Sequence, residues 1–156
     1  MPKTENVTAQ LPKFDKKLFE KLSAIIAKEA GETAKAQVQK NIKSVKAIAS
    51  GQLYDSVTAE VIKSKSRSFL VSVGSDDRAA EPIESGIKPT FVPIIKIYEW
   101  MRDKGIGNDP AFANYVRNKL AERGYKGRKV FEKAEETLIE QLDSLIEDIL
   151  NREDFT

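Results

Sequence analysis

The chain of 156 residues contains neither cysteine nor histidine. Without cysteine it can form no disulfide, no thiolate metal site and no cysteine nucleophile. Without histidine it lacks the commonest general base and the commonest metal ligand near neutral pH, and a Ser-His-Asp triad is excluded. The composition therefore favours a binding or structural role over catalysis, and we expect no catalytic residue, no cofactor and no resident metal.

Long hydrophobic runs are missing as well. No stretch of about 18 apolar residues is present, and the polar start Met1–Glu5 lacks the apolar core of a signal peptide, so we expect neither a membrane span nor export. Hydrophobic residues make up 40% of the chain and charged residues 32%, as in ordinary folded domains. We predict a flexible arm over 1–13, a single domain over 14–150 and a tail over 151–156, made in the cytoplasm.

Four segments carry apolar residues at spacings of three and four, which predicts helices. The first is a long helix over 14–45 with one apolar stripe. Two short helices are predicted over 94–104 and 110–123, where proline stands at or just before the first turn and glycine follows the end. The last is a long helix over 131–149, which carries acidic residues on the face opposite its apolar stripe.

A β-hairpin is predicted between these helices. Val57–Ile62 alternates as a half-buried strand, Ser68–Val73 is rich in β-forming residues, and Ser64–Ser66 is a plausible turn between them. The stretch Ala79–Pro93 contains three prolines and is predicted to be mainly loop, with a short edge strand around Ile83. The order of elements predicts an α+β fold with helices packed on a small antiparallel sheet, whose open edges another chain could cover.

The charges of the last third of the chain are unevenly distributed. Residues 117–129 hold six basic residues and one acid, whereas residues 130–156 hold nine acids and two basic residues. A basic patch beside an acidic end can attract copies of the chain head to tail. The basic segment also supports an alternative function, a cytosolic nucleic-acid-binding module. The candidate residues for lining a pore or facing DNA are Lys119, Arg123, Lys126, Arg128 and Lys129.

Two further groups of residues are candidate sites. The carboxylates of Asp76, Asp77, Glu81 and Glu84 suggest a second alternative, a magnesium-dependent phosphoryl enzyme, although no ligand loop of recognised spacing is present. The long proline-containing stretch is a candidate docking loop, because proline limits the conformational freedom that docking must remove. The candidate interface residues in this loop are Glu84, Gly86, Pro89 and Pro93.

Four short motifs occur in order along the chain. Ser50–Val57 has a small-Gly-x-Leu-x-x-Ser pattern after the long helix, and Ala79–Gly86 ends in Glu-x-Gly. Trp100–Gly105 joins a tryptophan to a Lys-Gly ending, and Phe131–Ala134 is a Phe-x-x-Ala element at the start of the last helix. In this order and spacing the chain, over roughly residues 14 to 150, resembles the tail-component family of siphophages, small proteins of the neck and tail-completion region.

The resemblance implies a structural protein of the virion at the head-tail junction. Members of such a family would form a ring between the head-side connector and the tail tube, with DNA passing through the centre and no catalysis. We therefore expect a homo-oligomeric ring, a hexamer or alternatively a dodecamer. The expected partners are a head-completion or connector protein and a tail terminator or tail tube protein, with transient non-specific contact to passing DNA and no membrane contact.

Overall fold

The fold is α+β, as the residue pattern predicts. The computed structural model describes residues 15–46, 51–64 and 68–152; the predicted arm over 1–13 lies outside them. Along the chain, a long first helix and a long last helix stand on either side of a small antiparallel sheet and several short helices, and 66% of the structure is helical. The first helix packs on both the last helix and the sheet.

The two long helices form the framework. Helix α1 spans Lys16–Ser44, and the carboxylate of Asp15 caps it by accepting hydrogen bonds from two backbone N–H groups of its first turn. At the C-terminal end of α1, the Asn41 side-chain amide donates to the backbone carbonyl of Val130, 2.9 Å away, at the start of the last helix. At the C-terminal end of the last helix, Arg152 forms an ion pair of 2.6 Å with Glu29 in the middle of α1. The helices are therefore antiparallel.

The main core lies where these helices meet the short segment after α1. Helix α2, Gln52–Asp55, is a single turn that follows the left-handed residue Gly51 (φ 85°) and was not predicted. It places Leu53 against both long helices, because one turn suffices to direct this side chain inward. The buried members of this cluster are Val38, Ile42, Leu53, Val57, Val130 and Ala134.

The predicted hairpin is present. Strand β1 spans Thr58–Lys63, strand β2 spans Phe69–Gly74, and they pair antiparallel. The hairpin lies on α1 at Gly31, where an added Cβ would be 3.5 Å from both the Ala59 Cβ and a Val71 methyl carbon. The small residue thus brings helix and sheet into close contact. Most of the predicted turn falls outside the described residues.

The hairpin is less buried than its alternation predicts. The side chains of Ile62 and Leu70 pair across the strands on the outer face, yet they are 50% and 60% exposed. Helix α1 is the main element that packs on the sheet, and it contacts the inner face at Ala59 and Val71. A two-stranded sheet covered from one side leaves its outer face and the edge of β2 accessible.

The stretch over 79–93 corrects a prediction. Helix α3 spans Ala80–Ser85, so the expected edge strand around Ile83 is wrong. A two-residue strand β3 follows at Gly86–Ile87 and pairs with β4, Tyr125–Lys126. Pro82 favoured a loop over a helix in the prediction. It lies in the first turn of α3, where a residue without an N–H donor is tolerated.

Two further helices form a second, smaller cluster. Helix α4 spans Ile94–Asp103 and helix α5 spans Pro110–Arg123. Asp109 caps α5, and Pro93 stands at the N-cap of α4, one position before its first turn. The two helices pack mainly on each other, around Ile97, Met101 and Ala113. We call this unit, which lies between β3 and β4 in the chain, the helical arm.

The last helix is longer than predicted. Helix α6 spans Val130–Arg152, so the first two residues of the expected tail over 151–156 are helical. Its apolar stripe contacts α1 along much of its length, although Leu142 in the middle is only half-buried. The remaining tail residues lie outside the described part of the chain.

The first prediction concerns the main core. The Ile42→Ala substitution should lower the free energy of unfolding by about 2–5 kcal/mol, because the side chain is fully buried and its removal leaves a cavity. The measurement is urea denaturation followed by circular dichroism. Ile95→Ala is the control, since that side chain is 59% exposed and its loss should change the free energy by at most about 0.5 kcal/mol. Equal midpoints for the two variants would contradict the placement of the core.

Candidate assembly site

The carboxylate of Glu84 caps α6 from a distant part of the chain. One oxygen accepts a hydrogen bond of 2.8 Å from the Phe131 backbone N–H, and the other accepts one of 2.9 Å from the Glu132 N–H. The first N–H groups of a helix have no acceptor within the helix, and a negative charge there is favoured by the helix dipole. Lys129, which precedes α6, has no side-chain acceptor to offer. Glu84 therefore fills a structural position.

Three glycines allow two backbone segments to approach each other beside this cap. A Cβ on Gly86, Gly124 or Gly127 would overlap backbone atoms of the opposing segment. Gly86 and Gly124 also have positive φ values, 86° and 69°, which other residues rarely adopt. We call the paired segments, residues 83–87 and 124–129, the clasp.

Backbone hydrogen bonds extend the clasp toward α6. The N–H of Arg128 donates to the carbonyl of Ile83 at 2.6 Å, and the N–H of Lys129 donates to the carbonyl of Glu84 at 3.2 Å. Both strands of the clasp continue directly into the connections to the helical arm. The clasp thus joins the arm to the main core.

The structure places the four candidate interface residues in two different environments. Glu84 and Gly86 are partly buried parts of the clasp, whereas Pro89 and Pro93 are exposed in the irregular stretch between β3 and α4. A contact with a partner stays a prediction for all four. For Glu84 and Gly86, substitution would first damage the fold, because each already makes a contact that the subunit needs.

The five candidate basic residues follow one another along the path from α5 to α6. Lys119 pairs with Glu122 at 3.4 Å, and Lys129 pairs with Glu132 at 2.7 Å. The hydrogen bond to Glu132 raises the pKa of Lys129 above its ordinary value. These two cations are partly neutralised by their own neighbours.

The other three candidate basic residues have no acidic partner. Arg123, Lys126 and Arg128 are exposed and form no ion pair within the described residues. The Arg128 guanidinium lies 5.6 Å from the centre of the Tyr125 ring, and its Nε donates to the tyrosine hydroxyl at 3.1 Å. These residues form the available positive charge of this region.

Arg117, which also belongs to the basic segment, has a packing role. Its guanidinium lies 5.0 Å from the centre of the Phe91 ring, a cation-π distance. Its Nε is buried without a hydrogen-bond partner in the part of the chain that the structure describes. The residue fastens the irregular stretch before α4 to the side of α5, together with a hydrogen bond from the Thr90 N–H to the Leu120 carbonyl.

An apolar groove between β2 and α6 was not predicted. Its volume is about 420 Å³, its floor is Ala34 and Val38 of α1, and Ile139 of α6 stands in its wall with 65% of the residue exposed. The sequence signal for it is weak: Ile139 and Ile146 follow each other at helical spacing beside the main stripe of α6. An exposed apolar groove of this kind is typical of an interaction surface.

Two of the four carboxylates of the magnesium hypothesis make structural hydrogen bonds. Asp77 accepts a hydrogen bond of 2.7 Å from the Ala79 N–H, and Glu84 caps α6. Among the residues that the structure describes, no group of three or more acidic side chains could hold a metal ion.

No family model matches this chain, and no curated protein or solved structure matches it either. None of the helices in the described ranges is both long enough and apolar enough to cross a bilayer. The likeness to siphophage tail components rests on the order of the four sequence motifs.

The second prediction concerns the cap of α6. Glu84→Ala should lower the free energy of unfolding by about 0.5–2 kcal/mol, as the loss of a capping side chain does, and speed amide exchange at Phe131 and Glu132. Glu84→Gln should have a smaller effect, because its carbonyl oxygen still accepts. Glu81→Ala removes the same side chain from an exposed position of α3 and serves as the control. The capping role is refuted if Glu81→Ala and Glu84→Ala change stability and exchange equally.

Proposed function

We propose that this protein is a ring subunit of the head-tail junction of a tailed bacteriophage, a structural neck or tail-completion protein of the virion without catalytic activity. The observation that carries the proposal is the uncovered hairpin. The outer face of the hairpin exposes Ile62 and Leu70, and among the residues that the structure describes no strand pairs with the second edge of β2. Such edges are usually covered, and a neighbouring subunit is a cover that suits an assembly protein.

Other large hydrophobic side chains support an assembly role. Phe91 and Ile95 in and beside the helical arm are 67% and 59% exposed, and Phe19 near the start of α1 is 42% exposed. Isolated exposed hydrophobic residues are ordinary, but here they occur at both ends of the subunit and on the hairpin. Several surfaces are therefore available for contacts with neighbouring chains.

The motifs behind the family resemblance fall at positions that shape the fold. Gly51 begins α2 with a positive φ and Leu53 is buried in the main core. Glu84 and Gly86 form the clasp, and Ala134 is 1% exposed where α6 contacts α1. A chain that shares these motifs would share the same architecture, which supports the proposed kinship at the level of the fold.

The third prediction concerns assembly. The purified chain should form a closed ring, a hexamer or else a dodecamer, or should enter one when mixed with its connector or tail tube protein, because its uncovered surfaces need partners. Native mass spectrometry and negative-stain electron microscopy would measure this. Leu70→Asp should keep the circular dichroism spectrum and lose the ring, because it places a charge on the outer face of the hairpin. Asn118→Asp adds a charge to α5 and serves as the control.

A chain that stays monomeric alone and with each partner would refute the ring proposal. A second measurement expresses each variant in a phage that lacks the gene. A variant that fails to assemble should give separate heads and tails. Normal particles from the Leu70→Asp variant would remove the hairpin face from the interface.

Exposed cations favour one alternative, a nucleic-acid-binding module. Arg123, Lys126 and Arg128 are exposed and form no ion pair within 15–46, 51–64 and 68–152, and Tyr125 beside them offers an aromatic ring. Each phosphate contact makes binding depend more steeply on salt. A ring through which DNA only passes need not bind DNA stably. The two functions therefore differ in their expected affinity for DNA.

The fourth prediction separates these functions. As a ring subunit, the protein should bind a short DNA duplex weakly at physiological salt in fluorescence anisotropy. A true binder that uses three cations should lose affinity steeply with salt, with a log-log slope of about −2.7, and Arg123→Gln should reduce that slope by about one. Lys96→Gln, which removes an exposed cation from α4, is the control. Tight binding with this slope would favour the alternative.

A further inference from the structure

We propose that the ring contact is directional: one face of α5 in one copy docks into the groove between β2 and α6 of the next copy. This inference rests on the proposed ring function and names two surfaces that would take part in the contact besides the outer face of the hairpin. We call the two surfaces the α5 face, made of Phe112, Tyr115, Lys119 and Arg123, and the α6 groove, as described above.

The α5 face combines aromatic rings with positive charge. Its four residues are separated by three, four and four positions, so they lie within about 80° of one another around the helix. Phe112 and Tyr115 are 37% and 58% exposed, and the Lys119 ammonium lies 5.7 Å from the centre of the Tyr115 ring. The buried side of α5, centred on Ala113, faces α4. The α5 face therefore remains accessible beside that contact.

The α6 groove offers the complementary surface. Its apolar floor and walls can accept an aromatic ring, and its volume of about 420 Å³ exceeds what one such ring fills. One wall is the edge of β2, with which no strand in the described part of the chain pairs. The other wall is the flank of α6 that carries Glu135 and Ile139, with Asp143 one turn further on. Glu135 and Asp143 form no ion pair within the described ranges.

The charges of the two surfaces are opposite in sign. Arg123 on the α5 face and Glu135 in the wall of the α6 groove form no ion pair with any residue that the structure describes. Docking would bring apolar surface into contact and pair these charges at its rim, the arrangement that gives protein interfaces their specificity. The α5 faces of two copies would repel each other because both are positive, and the α6 grooves of two copies would repel each other because both are negative. The pattern therefore favours two different surfaces meeting.

A second copy of the chain is the occupant that fits these constraints. Within one subunit α5 packs mainly on α4, and α6 packs mainly on α1, so the two surfaces do not satisfy each other. A contact between unlike surfaces is head to tail, and repetition of it closes into a ring when the rotation allows. An isologous dimer would instead require each surface to be complementary to itself.

The fifth prediction is a charge-reversal test. Arg123→Glu and Glu135→Arg should each weaken self-association by about tenfold or more, and the double variant should recover it, because the exchanged charges still attract. Glu140→Arg is the matched control: it makes the same substitution on α6, about 140° around the helix from Glu135. Self-association is measured by analytical ultracentrifugation over a concentration series, and circular dichroism checks that each variant folds.

The absence of cysteine from the chain allows a second measurement. A Tyr115→Cys/Ile139→Cys variant, oxidised under native conditions, should give a ladder of covalent multimers on a denaturing gel, because each copy links to two neighbours. The single variants should give no ladder. A Tyr115→Cys/Glu140→Cys variant controls for random collision.

The outcomes separate this contact from the ring proposal. If the wild-type ring forms but Glu135→Arg behaves like Glu140→Arg, or if the cysteine ladder is absent, the contact is wrong and the ring function stands. A covalent dimer from Tyr115→Cys alone would indicate an isologous interface and would also overturn it. If the wild-type chain never associates with itself or with phage components, both proposals fail.

Discussion

The cap on α6 is the interaction on which most of this structure depends. Val130, at the first position of the helix, is fully buried, and Ala134 one turn later is nearly so. The first backbone N–H groups of α6 therefore lie beside a buried side chain and need hydrogen-bond acceptors. The helix itself has none to offer them, so leaving them unpaired would cost free energy unless another segment supplies an acceptor. Glu84 supplies it, and in doing so it fixes α3 against α6. The clasp, the connections to the helical arm and the position of α5 all follow from that attachment.

The sequence predicts local structure well and long-range contacts poorly. The long helices, the hairpin and the helix that begins at Pro110 were all predicted, because apolar spacing and helix-terminating residues are local signals. The partnership between Glu84 and the N-terminus of α6 was not, since 47 residues separate Glu84 from Phe131 and no periodicity connects them. The two-residue strands β3 and β4 were also missed, because their pairing depends on glycines that only a backbone contact explains.

The candidate site was predicted in part. Arg123, Lys126 and Arg128 were selected as residues that line a pore or face DNA; they are exposed, and that role stays a prediction. Glu84 was selected as part of a docking loop, and no signal in the sequence indicated that it also caps α6. A loop rich in proline suggested docking, but its first half folds into a helix. The α6 groove had almost no signal, because a groove is formed by three elements whose relative placement no single segment encodes. Interface residues are in general harder to predict from one sequence than core residues, because the residues that they pack against belong to another chain.

Exposed charges and exposed apolar side chains are unevenly distributed over the surface of the subunit. Positive charge and aromatic rings collect on α5 and the clasp, whereas negative charge and aliphatic side chains collect on the outer flank of α6. The hairpin adds an uncovered strand edge next to that flank. A subunit with unlike surfaces on separate elements can recognise a copy of itself in one orientation only, and this restricts the assemblies open to it.

The clasp also affects which insertions and deletions the chain can tolerate during evolution. Topologically, the helical arm is the loop of a very short β-hairpin, because β3 leads into it and β4 receives it. The entropy of closing a loop grows only slowly with its length, so the two strands can pair whether the intervening segment is short or long. The arm can therefore be lengthened, shortened or exchanged by insertion and deletion while the main core keeps its contacts. Variation in partner choice can accumulate in the arm, and the framework of α1 and α6 can remain unchanged.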